Sequence, residues 1–489
     1  SAVVAPPPPP PEARLTLHWC HSRDYLRGHS HRASCLFHNV CVVQRPRDSP
    51  HGHDRHEVEF LYVHDDDDDG DMNTNTKNEK LKRVEKGDAS FTLGIGPHNG
   101  DERIVFSPVP ISMRDLNARY PSRRYVSGTS VLYYEYNSEN FGHLLTDVLL
   151  PIYVALEGFG LEDRTDLNLF RYSISDAIGW SCDFHRNLVD KDTGLRGISS
   201  RYGDVGKHCD RFYDMTPRLV NGHNPLNVLN GTTVEPTCFQ DLVVGMSMYS
   251  DDCEEGGHGR EQNYWSLCNH ARQGQFWKFR NYVLRNAFES EDEHGDGVEV
   301  DVEHYVPTHH KITITKRKDD IRGLKNFDQL VSKIEEKYAR NNHGSHGRVE
   351  VVVAEWEKLS IRDQLELIRT TTVHLTPPGG VSFISLFLPR WATSVRLYST
   401  EYRMEWHIYH YLGYLSVDHV NCPDDSVPME ETMGLVEAGL RRYDEHRRAE
   451  GGGGDDAAWS TSRADSTVAA EEEETVGATA STPRTVYQS

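Results

Sequence analysis

Lys311-Ile312-Thr313-Ile314-Thr315 opens the stretch that decides the fold, with alternating β-branched residues that read as a strand. After the polar loop Lys316–Lys325 comes Asn326, an N-cap with Gln329 three residues on as a capping box. Phe327, Leu330, Val331, Ile334 and Tyr338 then recur at helical spacing. Val349–Ala354 is an apolar run of the kind that marks a buried parallel strand. Ser360 with Asp363 caps a second helix, whose apolar side is Ile361, Leu365 and Ile368. Thr372–Leu375 is a third strand, Thr376-Pro377-Pro378-Gly379-Gly380 a turn, Val381–Leu388 a short helix, and Thr393–Tyr398 a fourth strand. Strand–helix alternation repeated this often predicts an α/β fold: a parallel sheet with helices on both faces.

Ligands of such sheets sit at the carboxyl ends of the strands. Two loops there carry suitable chemistry. The loop after Thr315 holds Lys316, Arg317, Lys318 and Arg322, which can neutralise a pyrophosphate. The Gly379-Gly380 turn presents bare backbone N–H groups at a helix start, where an anion can approach closely. Taken singly, the first is also a solvated turn and the second a tight bend. Together, at one edge of one sheet, they favour a nucleotide site.

The whole chain has 489 residues, long enough for two or three domains at roughly 150 residues each. Its net charge of −22 argues against a general nucleic-acid binder, which needs a cationic face. Much of that charge sits in Asp65–Asp69, Glu289–Glu303 and the tail, which read as surface insertions and a disordered terminus. No run of about 18 apolar residues exists to span a membrane. Pro6–Pro11 reads as a stiff spacer or an ordinary loose terminus, and Ser1 in place of Met suggests an upstream segment. Nine cysteines without a C-x-x-C pair count against a zinc ribbon and favour disulfides in a secretory lumen over free thiols. Asn230-Gly231-Thr232 is a glycosylation sequon that suits that compartment. His18, His21, His29, His31 and His38 surround Cys20 and Cys35, but their spacing fits no standard metal site, and no metal is expected.

In the first half, Asn140-Phe141-Gly142-His143-Leu144-Leu145-Thr146-Asp147-Val148-Leu149-Leu150-Pro151 reads as a helix. It sets His143 and Asp147 four apart on one side. Such a pair is either a general base with its carboxylate or a structural tie to a neighbouring loop. Phe239–Gly245 reads as a strand, and Phe276–Phe288 as an amphipathic helix rich in Arg and Lys.

This set of motifs resembles glycosyltransferase family 61, which includes plant xylosyl- and arabinosyltransferases and animal O-GlcNAc-type transferases of the endoplasmic reticulum. Four places carry the resemblance, over roughly residues 15 to 415. They are Cys35-Leu36-Phe37-His38-Asn39-Val40-Cys41; Asn140 to Pro151; Cys238-Phe239 with Val244-Gly245; and Thr315-Lys316-Arg317 with Arg322, Asn326, Leu359-Ser360, Gln364, Gly379-Gly380 and Phe387-Leu388-Pro389. The resemblance implies a GT-B-like architecture, two Rossmann-like domains facing a cleft. The expected division is a Pro-rich stem at 1–14, an acceptor-side domain at 15–300, a nucleotide-sugar domain at 301–440 and an acidic tail at 441–489.

The resemblance also implies inverting transfer from a UDP-sugar to a glycan or glycoprotein hydroxyl, with no cofactor and no obligatory metal. It further implies a place in the Golgi or endoplasmic reticulum lumen, behind an upstream membrane anchor. On that basis His143 and Asp147 are the catalytic pair, while Arg317, Arg322, Gly379, Gly380 and Ser382 hold the donor. Many members carry His-Gly-Ala where this chain has Pro378-Gly379-Gly380, so UDP-GlcNAc, UDP-xylose and UDP-arabinose all stay open as donors. Two rivals remain. One is a metal-dependent GT-A transferase, suggested by the aspartates at 65–69 and by Asp190-Lys191-Asp192; the other is a non-catalytic glycan-binding relative.

Overall fold

The structure is a computed structural model. It describes residues 17–21, 34–44, 58–64, 82–83, 91–92, 105–106, 108–134, 141–172 apart from 165, short pieces between 198 and 229, 236–245, 273–289, 302–317 apart from 304, 323–339, 346–398 and 412–451. The chain forms two compact units, Ser1–Glu445 and His446–Ser489. Both large sheets belong to the first unit.

Among the described residues the first sheet has nine strands. In chain order its early members are β1 (Leu17–His21), β2 (Ser34–Gln44), β3 (Val58–His64) and β4 (Lys82–Arg83). A separate two-stranded ladder, β5 (Phe91–Thr92) with β6 (Val105–Phe106), comes next. Then follow β7 (Val109–Ser112), the helix α1 (Met113–Arg119) and β8 (Arg124–Tyr134). The series ends with β9 (Asn168–Tyr172), the small ladder β10 (Ile198–Ser199) and β11 (Gly203–Asp204), β12 (Asn227–Leu229) and β13 (Thr237–Val244). The neighbours β12-β9-β8-β13 are all parallel, so the strands stand third, second, first, fourth in chain order. That is the start of the Rossmann order, and it sets the switch point between β8 and β13.

Beyond β13 the sheet turns antiparallel through β2, β1 and β4. Two disulfides pin this extension across directly opposed residues: Cys20–Cys35 joins β1 to β2, and Cys41–Cys238 joins β2 to β13. The second bridge ties residues 197 apart in sequence, so it removes much freedom from the unfolded chain. Cys20 is therefore no thiolate ligand. Cys422 is a free, buried thiol.

Phe141–His143, Leu144–Leu149 and Leu150–Phe159 follow one another without a break as α-, π- and α-helix, and form the element α2. The widened turn has a local cause. Pro151 lacks the N–H that would close an α-type bond to the carbonyl of residue 147, and its ring crowds that carbonyl. Gly160 then ends α2 in a left-handed conformation at φ 67°. With α3 (Gln273–Glu289), α2 covers one face of the first sheet.

The second sheet contains β14 (His310–Thr315), β15 (Val349–Ala354), β16 (Val373–Thr376), β17 (Thr393–Tyr398) and β18 (Ser416–Asn421). Its order is β15-β14-β16-β17-β18, parallel throughout. The switch point thus lies between β14 and β16. Its helices are α4 (Phe327–Ile334, continued as a π turn over Glu335–Ala339), α5 (Ile361–Arg369) and α6 (Met429–Gly451); a 3-10 segment, Gly380–Phe387, follows β16. The fifth strand and α6 lie beyond the elements expected from sequence, and α6 runs past residue 441, the expected start of the tail.

One cap differs from expectation. Ser360 caps α5 as read, its Oγ accepting from the Asp363 N–H at 3.0 Å. Asn326 does not cap α4 with its side chain. Its Nδ2 donates to the Val427 carbonyl at 2.9 Å and its Oδ1 accepts from the Val427 N–H at 2.8 Å. The amide matches a backbone edge two-for-two, which outweighs a single capping bond.

A single apolar cluster runs between the sheets. Leu145, Val148 and Leu149 of α2 and Phe279 of α3 share it with Ile384, Phe387 and Leu388 beside β16. Among the described residues no helix is long and apolar enough to cross a membrane.

Candidate functional site

The carboxyl ends of β14 and β16 meet at the second switch point. Arg317, two residues past β14, donates Nη1–H to the Pro378 carbonyl at 2.5 Å. The basic loop and the Pro-Gly-Gly turn are therefore one rim. Gly379 sits at φ 121°, ψ 176°, a region essentially reserved for glycine. The 3-10 segment begins at the next residue, so the backbone N–H groups of Gly380 and Val381 head it.

Eight residues is long for a 3-10 helix, whose hydrogen bonds are poorly aligned. Outside contacts hold this one. Ser382 N–H bonds to the Gly379 carbonyl at 2.8 Å, and the buried Arg396 donates Nη1–H to the Ser382 carbonyl at 3.0 Å. Tyr414 O–H reaches the Leu386 carbonyl at 2.7 Å. Arg280 of α3 donates Nε–H to the Leu388 carbonyl at 2.8 Å and Nη1–H to the Val302 carbonyl at 3.0 Å. Burial, with the charge of Arg369 adding to the fall, pulls the Arg280 guanidinium down to about 10, still charged at neutral pH.

Beneath the rim lies a buried polar chain. Trp356 Nε1–H donates to Thr315 Oγ1 at 2.9 Å, and that hydroxyl is 2.8 Å from His374 Nε2. His374 Nδ1 is 2.6 Å from Ser385 Oγ, which accepts from Ser394 Oγ at 3.2 Å. Burial, with the charge of Arg396 added, holds the His374 pKa well below the usual imidazole range. His374 is thus a neutral strut that ties both rim strands to the 3-10 segment.

The first switch point meets this rim directly. Gly142, in the first turn of α2, lies so close that a Cβ there would stand 2.7 Å from Phe383 Cδ2 and 2.8 Å from Gly380 Cα. Only a residue without a side chain lets α2 begin where it does. Two positive helix ends thereby converge on one spot, a favourable setting for an anion.

The structure brings Arg317, Gly379 and Gly380 together, and sets the backbone of His143 one residue from the contact with Gly380. Asp147 follows in the π turn, so the two are four apart on one helix; their side chains lie outside the described residues. Arg322 lies outside them as well, as do the sequon and the aspartates at 65–69 and 190–192. Ser382 lies deeper. It is wholly buried and its backbone is bonded on both sides, so it stands inside the wall rather than on the rim.

Three contributors were not picked from sequence. Gly142 stands in the sequence only as one residue of the Asn140–Pro151 motif. His374 interrupts an otherwise apolar strand, and Arg280 falls among Phe276, Phe279, Val283 and Leu284 on the buried side of its helix. A charged or titratable residue on an apolar face was the signal available for the last two.

No curated protein matches the chain. Among solved structures, a glycosyl transferase family 9 protein from Veillonella parvula DSM 2008 is similar at 7% identity, over 65% of this chain and 97% of that one, with a TM-score of 0.25. At that score the likeness carries no weight for the fold. The family profile described as Glycosyltransferase 61 matches residues 141–395, from the first residue of α2 through the 3-10 segment into β17. The chain belongs to the glycosyltransferase 61 family and is a glycosyl-transferring enzyme.

Proposed function

We propose that the two crevices form one site of GT-B type, in which a UDP-sugar is gripped by the second sheet and an acceptor hydroxyl is activated from α2. The abutment of Gly142 on Gly380 carries this reading, because it joins the two switch points. Arg317 and the N–H groups of Gly380 and Val381 take the diphosphate, with Arg322 as a further cation from the same loop. His143, held by Asp147, accepts the proton of a glycan or glycoprotein hydroxyl as its oxygen attacks the anomeric carbon. The bond from that carbon to the diphosphate breaks on the far side, inverting the centre, and UDP leaves with the electron pair. Cationic donors aimed at the leaving group lower the barrier for that step. The disulfides of the first sheet suit an oxidising lumen, the Golgi or endoplasmic reticulum, with a membrane anchor upstream of this chain.

UDP titration and a panel of UDP-sugars test the division of roles. Arg317→Ala weakens UDP binding about 10-fold or more, while His143→Ala leaves it intact and lowers transfer by about 100-fold. Equal loss of UDP binding in both variants contradicts the assignment. Transfer abolished by EDTA and restored by a divalent ion favours the GT-A alternative instead.

A further inference from the structure

The amino-terminal end of the second sheet, opposite the rim, gathers two imidazoles and two carboxylates from three places. His310 begins β14 and His346 lies in the turn before β15; Glu437 and Asp444 lie seven apart, on one side of α6. His310 Nε2 is 2.9 Å from Asp444 Oδ1, and His346 Nδ1 is 2.8 Å from Asp444 Oδ2. The side chains are 6%, 11% and 22% exposed for His310, His346 and Asp444. One ligand atom from each of the three lies within 4.8 Å of the other two.

The outer ring nitrogens fix the protons. Thr372 Oγ1 gives its hydrogen to the Lys311 carbonyl at 3.0 Å and accepts from the Lys311 N–H at 3.1 Å, and it lies 3.4 Å from His310 Nδ1, so a proton on that nitrogen faces an acceptor. In the tautomer with its proton on Nδ1, His310 aims the Nε2 lone pair at Asp444. His346 Nε2 meets Glu437 Oε1 at 2.8 Å and must donate there. That carboxylate is set in place by Tyr338 O–H at 2.8 Å and by Lys337 Nζ at 2.9 Å. In its neutral form His346 then also turns a lone pair, that of Nδ1, to Asp444. Two lone pairs against one carboxylate repel unless positive charge lies between them. Either two further protons or one dication supplies it.

We propose that His310 Nε2, His346 Nδ1 and the Asp444 carboxylate bind a divalent transition metal of the zinc class, which fastens α6 to the amino edge of the second sheet. Two imidazoles and a carboxylate are a borderline N/O set that suits Zn²⁺. Each imidazole gives its outer N–H to an oxygen, as ligating histidines do, and Glu437 fills the carboxylate place in that pattern. Tetrahedral coordination at about 2.0–2.1 Å puts ligand atoms roughly 3.3 Å apart, so small side-chain rotations suffice. Binding releases only whatever protons sit on the two inner nitrogens. The site is independent of the transfer chemistry proposed for the opposite rim.

The test uses the full chain without a histidine tag, stripped with EDTA and checked by circular dichroism. The wild type takes up one more tightly held Zn²⁺ than Asp444→Asn or His346→Gln, and its melting temperature rises on adding Zn²⁺ where theirs does not. Co²⁺ at one equivalent gives visible d–d absorption in the wild type alone. Glu437→Gln, which leaves all three ligands in place, binds about 10–100-fold more weakly. Equal stoichiometry and equal thermal response in wild type and Asp444→Asn overturn the site. So does a wild type without Co²⁺ bands, which leaves a network held by protons only.

Discussion

The two sheets solve the same problem with different means. The second is parallel throughout, and its rim strands are tied by a chain of buried polar contacts through Thr315, His374 and Ser385. The first mixes parallel and antiparallel pairs, and its extension is tied by two disulfides. Directional hydrogen bonds under the rim fix the orientation of the Pro378-Gly379-Gly380 turn; covalent bridges in the other sheet restrain the unfolded chain instead. The second sheet therefore owes its precision to native contacts, and the first owes its persistence to cross-links.

Breaking that contrast has graded consequences. The largest falls on the first sheet: replacing Cys41 and Cys238 together by Ser costs about 5 kcal/mol, against about 3 for the Cys20–Cys35 pair with its short loop. Denaturant melts of the two double variants measure the difference, and equal losses would erase the link to loop length. Next comes the contact between the halves. Gly142→Ala forces a methyl against Gly380 and Phe383, costing about 1–3 kcal/mol in stability, and it lowers transfer along with UDP affinity. Gly379→Ala is expected to cost a similar 1–3 kcal/mol through its backbone angle, with UDP binding lost first.

The smallest effect concerns His374. Its pKa is depressed on folding, so below about pH 6.5 the unfolded chain takes up a proton that the folded chain does not. The stability from keeping this imidazole neutral is full above that pH and declines as pH falls through it. His374→Gln removes this component, and urea melts at pH 7.5 and pH 5.5 should show a smaller drop for the variant than for the wild type.

Legibility followed the same division. The four strands from Lys311 to Tyr398 were readable because each is a compact apolar or β-branched run between clear caps and turns. The rim was readable too, since Arg317 and Gly379 fall at strand ends and topology brings such ends together. The nine-stranded sheet was not, because its strands come from segments as distant as Ser34 and Val244, separated by long polar insertions. Gly142 illustrates what spacing leaves hidden: its necessity arises from a partner 238 residues on, at Gly380. His374 and Asn326 show the converse, since each has side-chain partners that no local pattern encodes.

Amide hydrogen exchange on the full chain, with and without saturating UDP, puts the joining of the two crevices to the most direct trial. The account predicts that peptides covering 141–150 and 378–388 gain protection together, and that Arg317→Ala abolishes both gains. Protection confined to 378–388, with the start of α2 unchanged, would contradict a shared site.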